Sequence, residues 1–326
     1  MKQVFFNSAG QVVVEDVPAP ALLPGGVLVQ VEYSLISTGT ESMAQAESAG
    51  VVGRAMRSPA LVKKVIDRAR TVGVQETARL VKQKLRSEAI LPLSITGYSA
   101  AGRVIAKDDA VTDLQIGDRV ACAGAKYASH AQIIGVPRNL AAPVPPAVQP
   151  QHAAFTTLGA IAMQGVRRAG VQMGETVVVV GLGLLGQLTA QMLRVAGCRV
   201  IGLDLVESRV NLARQLGLDL GIQPDQTDAL AAVKSFTGGV GADAVLLCAG
   251  TGSSGPVNQA FKMARERGRV VIVGAVGMNL ERADFYTREQ DLLISRSYGP
   301  GRYDPTYEEQ GLDYPIGYVR WTENRD

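Results

Sequence analysis

Hydrophobic positions along the chain fall into three regimes. Over residues 1–36 they gather in short runs, Val4-Phe5-Phe6, Val12-Val13-Val14 and Val27-Leu28-Val29-Gln30-Val31. Asn7-Ser8-Ala9-Gly10 and a Pro/Gly-rich turn over 18–26 separate them, so they read as β-strands. From 54 to 86 the spacing is helical. Ser58-Pro59 opens a helix with Leu61, Val62, Val65, Ile66 and Ala69 on one face, and a second runs through Val74, Ala78, Val81 and Leu85. Strands return at 102–106, 119–122 and 131–136. The proline-rich stretch 143–150 reads as a linker, and an Ala-rich helix follows over 153–170. Thereafter short apolar runs at 177–180, 199–203, 243–248, 269–273 and 292–295 predict buried strands, with a helix over 257–264. That rhythm predicts an α/β chain with a doubly wound parallel sheet behind a β-rich first domain.

The stretch 176–204 carries the first chemistry. An all-β-branched run, Val177 to Val180, breaks at Gly181-Leu182-Gly183-Leu184-Leu185-Gly186, a G-x-G-x-x-G. A helix with Leu188, Met192 and Val195 on one side follows, and a second strand ends at Asp204. Gly181 allows the tight turn, Gly183 lets the backbone approach a pyrophosphate, and Gly186 lets helix and strand pack closely. The phosphates would sit on free N–H groups at the positive end of the helix, where Leu184 and Leu185 begin it. Asp204 lies eighteen residues past Gly186, close to the spacing of a carboxylate that accepts adenosine ribose hydroxyls. It would repel a 2′-phosphate, so the cofactor expected is NAD; Arg209 lies near enough to blur that preference. Ligands of such sheets lie beyond the strands' carboxyl ends. Ala249, Gly250, Gly274, Ala275, Val276, Ser297 and Tyr298 follow strand ends and are therefore candidates for holding the nicotinamide.

Composition narrows the picture. The chain has 326 residues, 47% hydrophobic and 19% charged, and its net charge of +3 gives no indication of nucleic acid. Cys122, Cys198 and Cys248 share no motif spacing and read as buried thiols in a reducing cytoplasm. The N-terminus has no apolar leader core and no run approaches 18 apolar residues, so a cytoplasmic protein without a membrane segment is expected. Residues 54–86 hold ten Lys and Arg against Asp67 and Glu76. Such a run is either a solvated helix face or a docking surface for an anionic small-molecule substrate.

Gly117-Asp118-Arg119-Val120, the Ala-rich crossover helix, the glycine motif with Asp204, and Thr237-Gly238-Gly239-Val240-Gly241-Ala242-Asp243 together resemble the medium-chain dehydrogenase/reductase superfamily. The resemblance implies a GroES-like catalytic domain over 1–152 with a basic insertion near 54–88, and a Rossmann NAD-binding domain over 153–300. Residues 301–326 would begin a return toward the catalytic domain, and a homodimer is implied. The last thirty residues are similar to bacterial two-module oxidoreductases, in which such a unit precedes a glucose–fructose oxidoreductase-like module. Family members continue past this point, so a fragment is expected.

Departures from the family carry as much as the matches. Zinc members have a Cys-Gly-Thr-Asp loop where this chain has Thr38-Gly39-Thr40-Glu41, and Gly-His-Glu where it has Gly97-Tyr98-Ser99. The second cysteine ligand falls on Ala160, and the four-cysteine zinc lobe is missing. Thr, Tyr and Ala do not make a zinc cage, so no metal is expected. The resemblance aligns Thr40 with a proton-relay hydroxyl, Gln164 with a residue touching nicotinamide, and His130 with a pocket-lining aromatic. Tyr98 either faces the substrate or packs on the β core, and His130 is either a general acid–base or structural. The leading expectation is a zinc-independent, NAD(H)-dependent oxidoreductase acting on an alcohol/carbonyl pair, including sugar derivatives. An enone or quinone C=C reductase, a zinc alcohol dehydrogenase and a non-catalytic NAD-binding regulatory module are the alternatives.

Overall fold

A computed structural model describes residues 1–7, 10–37, 39, 41 and 93–325. Thr38, Thr40 and the basic segment 54–88 lie outside the described residues. The chain divides into two compact units, Met1–Thr156 with Glu309–Gly311, and Thr157–Glu308 with Leu312–Asp326. The boundary falls at Thr156/Thr157, four residues beyond the expected one, and most of the segment after 300 groups with the second unit.

The first unit is antiparallel β structure. Its strands are β1 (Lys2–Asn7), β2 (Val12–Asp16), β3 (Gly26–Ser34), β4 (Leu93–Ile95), β5 (Ser99–Lys107), β6 (Arg119–Ala123), β7 (Ile133–Pro137) and β8 (Ala141–Pro143). They form a three-stranded sheet ordered β2-β1-β4 and a five-stranded sheet ordered β7-β3-β5-β6-β8. Val27 and Val29 of β3, Val104 of β5, Val120 of β6 and Ile134 and Val136 of β7 are buried. The proline-rich stretch is part of this body and not a free linker. Arg119 donates to Val148 O at 3.0 Å and Pro146 O at 2.8 Å, and Val144 and Val148 pack on Ala101, Ala121, Ala153 and Ala154.

The second unit is a wound parallel sheet. In chain order it comprises α1 (Thr156–Ala169), β9 (Thr176–Val180), α2 (Leu184–Val195), β10 (Arg199–Leu203), α3 (Glu207–Gln215), β11 (Leu220–Ile222), α4 (Ala229–Phe236), β12 (Ala242–Leu247), α5 (Gly255–Met263), β13 (Ala264–Ile272) and β14 (Asp291–Ile294). The strand order β11-β10-β9-β12-β13-β14 reverses beside β9, which creates the crevice where ligands of such sheets lie. Val177, Val178 and Val179 are fully buried between the two flanking strands, as their β-branched side chains require.

Two expectations shift. Helix α2 buries Gly186, Thr189, Ala190 and Leu193 and leaves Val195 exposed, so its docking face is not the Leu188–Met192–Val195 side. Small residues face the sheet because the helix starts almost in contact with the turn beneath it. Strand β13 begins at Ala264, directly after α5, where apolar patterning suggested Arg269; the register with β12 shifts between Ala242 and Ala244.

Candidate functional site

In the second unit the three motif glycines have three separate physical jobs. Gly181 holds φ +89°, and a Cβ there would lie 2.8 Å from Ala249 N. A Cβ on Gly186 would lie 1.8 Å from Gly181 O, so the helix seats on the turn only with hydrogen at that position. Gly183, by contrast, has nothing within 4 Å of where its Cβ would be. The open side of the turn therefore lies at Gly183, and the first-turn N–H groups of Leu184 and Leu185 have no intrahelical acceptor. An open turn with free N–H groups at a helix start suits an anion, so the residues present fit the pyrophosphate of a dinucleotide.

Asp204 closes the cradle. Its side chain is 7% exposed; Oδ2 accepts Leu182 N–H at 2.7 Å and Oδ1 accepts Val206 N–H at 2.8 Å. Arg209 approaches Oδ2 at 3.6 Å. Each carboxylate oxygen carries a second lone pair, so acceptor capacity remains for ribose hydroxyls. The loops after β9, β12 and β13 converge at this edge. A Cβ on Gly274 would lie 2.3 Å from Ala249 O, Gly274 N–H donates to Leu247 O at 2.7 Å, and Thr251 bridges to Val276. Thr251 N–H also reaches Ala275 O at 2.7 Å. Gln164 is buried on α1. Ser297, at φ +48°, precedes Tyr298, whose ring is buried and whose hydroxyl has no partner among the described residues; burial pushes that phenol up.

In the first unit one predicted residue, His130, meets a buried acid, Glu41. Glu41 Oε1 accepts Ser37 N–H at 2.9 Å, and Oε2 accepts the Thr96 hydroxyl at 3.2 Å. Both oxygens lie 3.2 Å from His130 Nε2, while Nδ1 lies 2.8 Å from Ser34 Oγ. His130 is 8% exposed, and both ring nitrogens are engaged. Its main-chain N–H donates to Thr96 O at 3.0 Å, and a Cβ on Gly97 would lie 3.0 Å from the ring. Tyr98 is half-buried beside this group, with its carbonyl accepting Gly124 N–H. Sequence reasoning singled out His130 but not Glu41. Ser34 and Thr96 carried no signal, because their partners lie 96 and 55 residues away.

Zinc takes three or four N, S or O ligands. Among the described residues no three His, Cys, Asp or Glu side chains come together. Ser99 donates its hydroxyl to Ala154 O at 2.6 Å, and Ala160 is buried and offers no ligand atom. Burial pushes the Cys122 thiol up to about 12, which keeps it protonated.

Residues 185–309 match the family profile described as zinc-binding dehydrogenase. D-guloside 3-dehydrogenase of Escherichia coli (strain K12) is 30% identical over 235 residues, 70% of this chain and 62% of that protein. The chain thus spans less than two thirds of the length of that relative. Alcohol dehydrogenase TADH from Thermus sp. ATN1 superposes with a TM-score of 0.70 at 22% identity, covering 91% of this chain and 85% of that one. A zinc-binding dehydrogenase structure from Sinorhizobium meliloti 1021, bound to NADP, superposes with a TM-score of 0.66 at 24% identity, covering 90% and 83%. The chain is thus similar in sequence to the zinc-binding dehydrogenase profile and to D-guloside 3-dehydrogenase, and it shares its fold with the two dehydrogenase structures.

Proposed function

We propose that this chain is an NAD(H)-dependent oxidoreductase that works without zinc and interconverts an alcohol and a carbonyl in a sugar or polyol derivative. The observation that carries the reading is the buried Asp204 carboxylate laid across the glycine turn, 2.7 Å from Leu182 N. A phosphate on the adenosine ribose would meet that charge, which favours NAD over NADP; Arg209 weakens the repulsion without cancelling it. Gly181, Gly183, Leu184, Leu185 and Gly186 would hold the pyrophosphate. Gln164, Ala249, Gly274, Ala275, Val276, Ser297 and Tyr298 would hold the nicotinamide end. The D-guloside enzyme supports a sugar-like substrate, and the cations of 54–88 support one that carries negative charge.

Bound nicotinamide supplies or accepts the hydride. The chain must then hold and move the proton of the alcohol without a Lewis acid. His130 is the group assigned to hold it, with Glu41 at its back, Thr40 is assigned as the proton-relay hydroxyl, and Tyr98 and Thr38 are assigned to face the substrate. Homodimers and a partner dehydrogenase module are part of the same reading. A second reaction type kept beside it is reduction of an activated C=C, as in the quinone-reductase branch of the resemblance.

Calorimetry with NADH and NADPH, elemental analysis, and NADH oxidation over sugars, polyols, quinones and enones test this reading. Tighter binding of NADH, turnover of a sugar or polyol and no stoichiometric metal are expected. Stoichiometric zinc or indifference to NADH overturns it. Turnover of enones alone selects the second reaction, and binding without turnover leaves a regulatory module.

A further inference from the structure

We propose that Glu41 is a positioning residue that fixes His130 in one tautomer, with hydrogen on Nε2 and the lone pair of Nδ1 turned toward Ser34. The inference rests on the reading of His130 as the proton-holding group.

The argument starts from what each atom can do. Both Glu41 oxygens lie 3.2 Å from Nε2; with Glu41 taken as a carboxylate, which only accepts, the hydrogen of that contact belongs to Nε2. In the neutral ring Nδ1 is then the acceptor, and the atom 2.8 Å from it is the Ser34 hydroxyl, which donates. When Nδ1 takes a proton the roles exchange: Nδ1–H donates, and Ser34 Oγ accepts after its own hydrogen rotates away. One proton therefore enters or leaves the ring with every heavy-atom contact preserved. The same proton balances the charge of Glu41, which leaves the buried pair neutral.

The surroundings prevent the ring from escaping this arrangement. Glu41 is anchored by Ser37 N–H and the Thr96 hydroxyl, and its own N–H donates to Ser37 O at 2.9 Å. Gly97 lies flat against the imidazole, where a Cβ would come within 3.0 Å of Cγ and Cδ2. Ser34, the half-buried last residue of β3, is the end of the chain of hydrogen bonds nearer to solvent. The same carboxylate that orients the ring also ties Ser37 to Glu41, the residues flanking Thr38-Gly39-Thr40.

The test is nitrogen NMR on the full chain labelled at histidine. Only two histidines exist, so His152→Asn leaves His130 as the one signal. The neutral ring is expected to show Nε2 protonated and Nδ1 accepting, and Ser34→Ala is expected to keep that tautomer. Glu41→Gln places an amide donor against Nε2 and is expected to populate the Nδ1–H form and to lower kcat about a hundredfold. In that variant the KM for NADH stays within about threefold and the pH profile of kcat changes shape. An Nδ1–H ring in the parent protein, or an unchanged tautomer and pH profile in Glu41→Gln, overturns the inference. If Glu41→Gln does not fold, the tautomer of the parent decides alone. Absence of any turnover by the parent sinks the oxidoreductase reading instead, while the NMR result still decides the role of Glu41.

Discussion

Two buried carboxylates, Asp204 in the parallel sheet and Glu41 in the β-rich unit, hold loops by one device and present them differently. Each accepts a main-chain N–H close by in the chain or across it: Asp204 takes Leu182 and Val206, and Glu41 takes Ser37. Asp204 then leaves its loop open on the side where Gly183 has no neighbour. Glu41 closes on an imidazole, so its loop is locked against His130. The lesson is that a ligand cradle and a proton site need opposite endings to the same hydrogen-bond pattern. A cradle needs unpaired N–H groups facing outward, whereas a proton site needs every partner committed except one hydroxyl.

The largest effect that can break this comparison lies at Gly186. A side chain there meets Gly181 O, which is main chain and cannot swing aside, so Gly186→Val is expected to destabilise by about 3 kcal/mol or more. In a chain of this size that is a fall in Tm of roughly 4 °C, read by calorimetry. Gly183→Ala gives the contrast, because a Cβ added three residues earlier meets nothing within 4 Å. Its Tm is expected to hold while NADH affinity falls about tenfold. Equal losses of Tm in both variants would show that the open side of the turn is structural.

A third carboxylate supplies the control, at an intermediate effect. Glu323 is buried like the other two, but neither oxygen has a hydrogen-bond partner among the described residues. Burial, then the charge of Glu308, pushes it up to about 8, with Arg302 and Arg296 opposing. The folded chain therefore keeps a proton on Glu323 that the unfolded chain releases between the ordinary carboxyl range and pH 8. Stability falls as pH rises through that window and levels off above about 8. Glu323→Gln removes the dependence, so a gain of about 2 kcal/mol is expected at pH 9 and none at pH 5. Chemical denaturation at the two pH values measures it, and an equal gain at both would assign the effect to packing.

The difference between the two loops also explains what could be read before folding. The cradle is local: strand, three glycines, helix and acid occupy 176–204, and the sheet needs them in that order. The ring of Ser34, Thr96 and His130 around Glu41 is assembled by strand pairing across up to 96 residues, so His130 was legible only as a residue type. Helix α2 shows a milder version of the same limit. Its apolar spacing pointed to Leu188, Met192 and Val195, yet the face that docks is set by Gly186 and its 1.8 Å clearance, a constraint no hydrophobic pattern encodes. Strand β11 and helices α3 and α4 were not foreseen; α3 buries only Val210 and Ala213, too few for a readable period.

The smallest effect is the most discriminating for the cofactor. Asp204→Asn keeps one oxygen for either Leu182 N–H or Val206 N–H and turns an amide donor on the other, so the turn loosens without losing its anchor. It also removes the charge that opposes a 2′-phosphate and leaves Arg209, 3.6 Å away, without its anion. NADH is then expected to bind more weakly and NADPH more strongly, moving the ratio of their Kd values about tenfold, or about 1.4 kcal/mol. Titration of both nucleotides into the variant and its parent reads the ratio directly. A loosened turn alone would weaken both nucleotides by the same factor. A constant ratio would therefore leave Asp204 as a clamp on the glycine turn and nothing more, the counterpart of Glu41 without a ligand to choose.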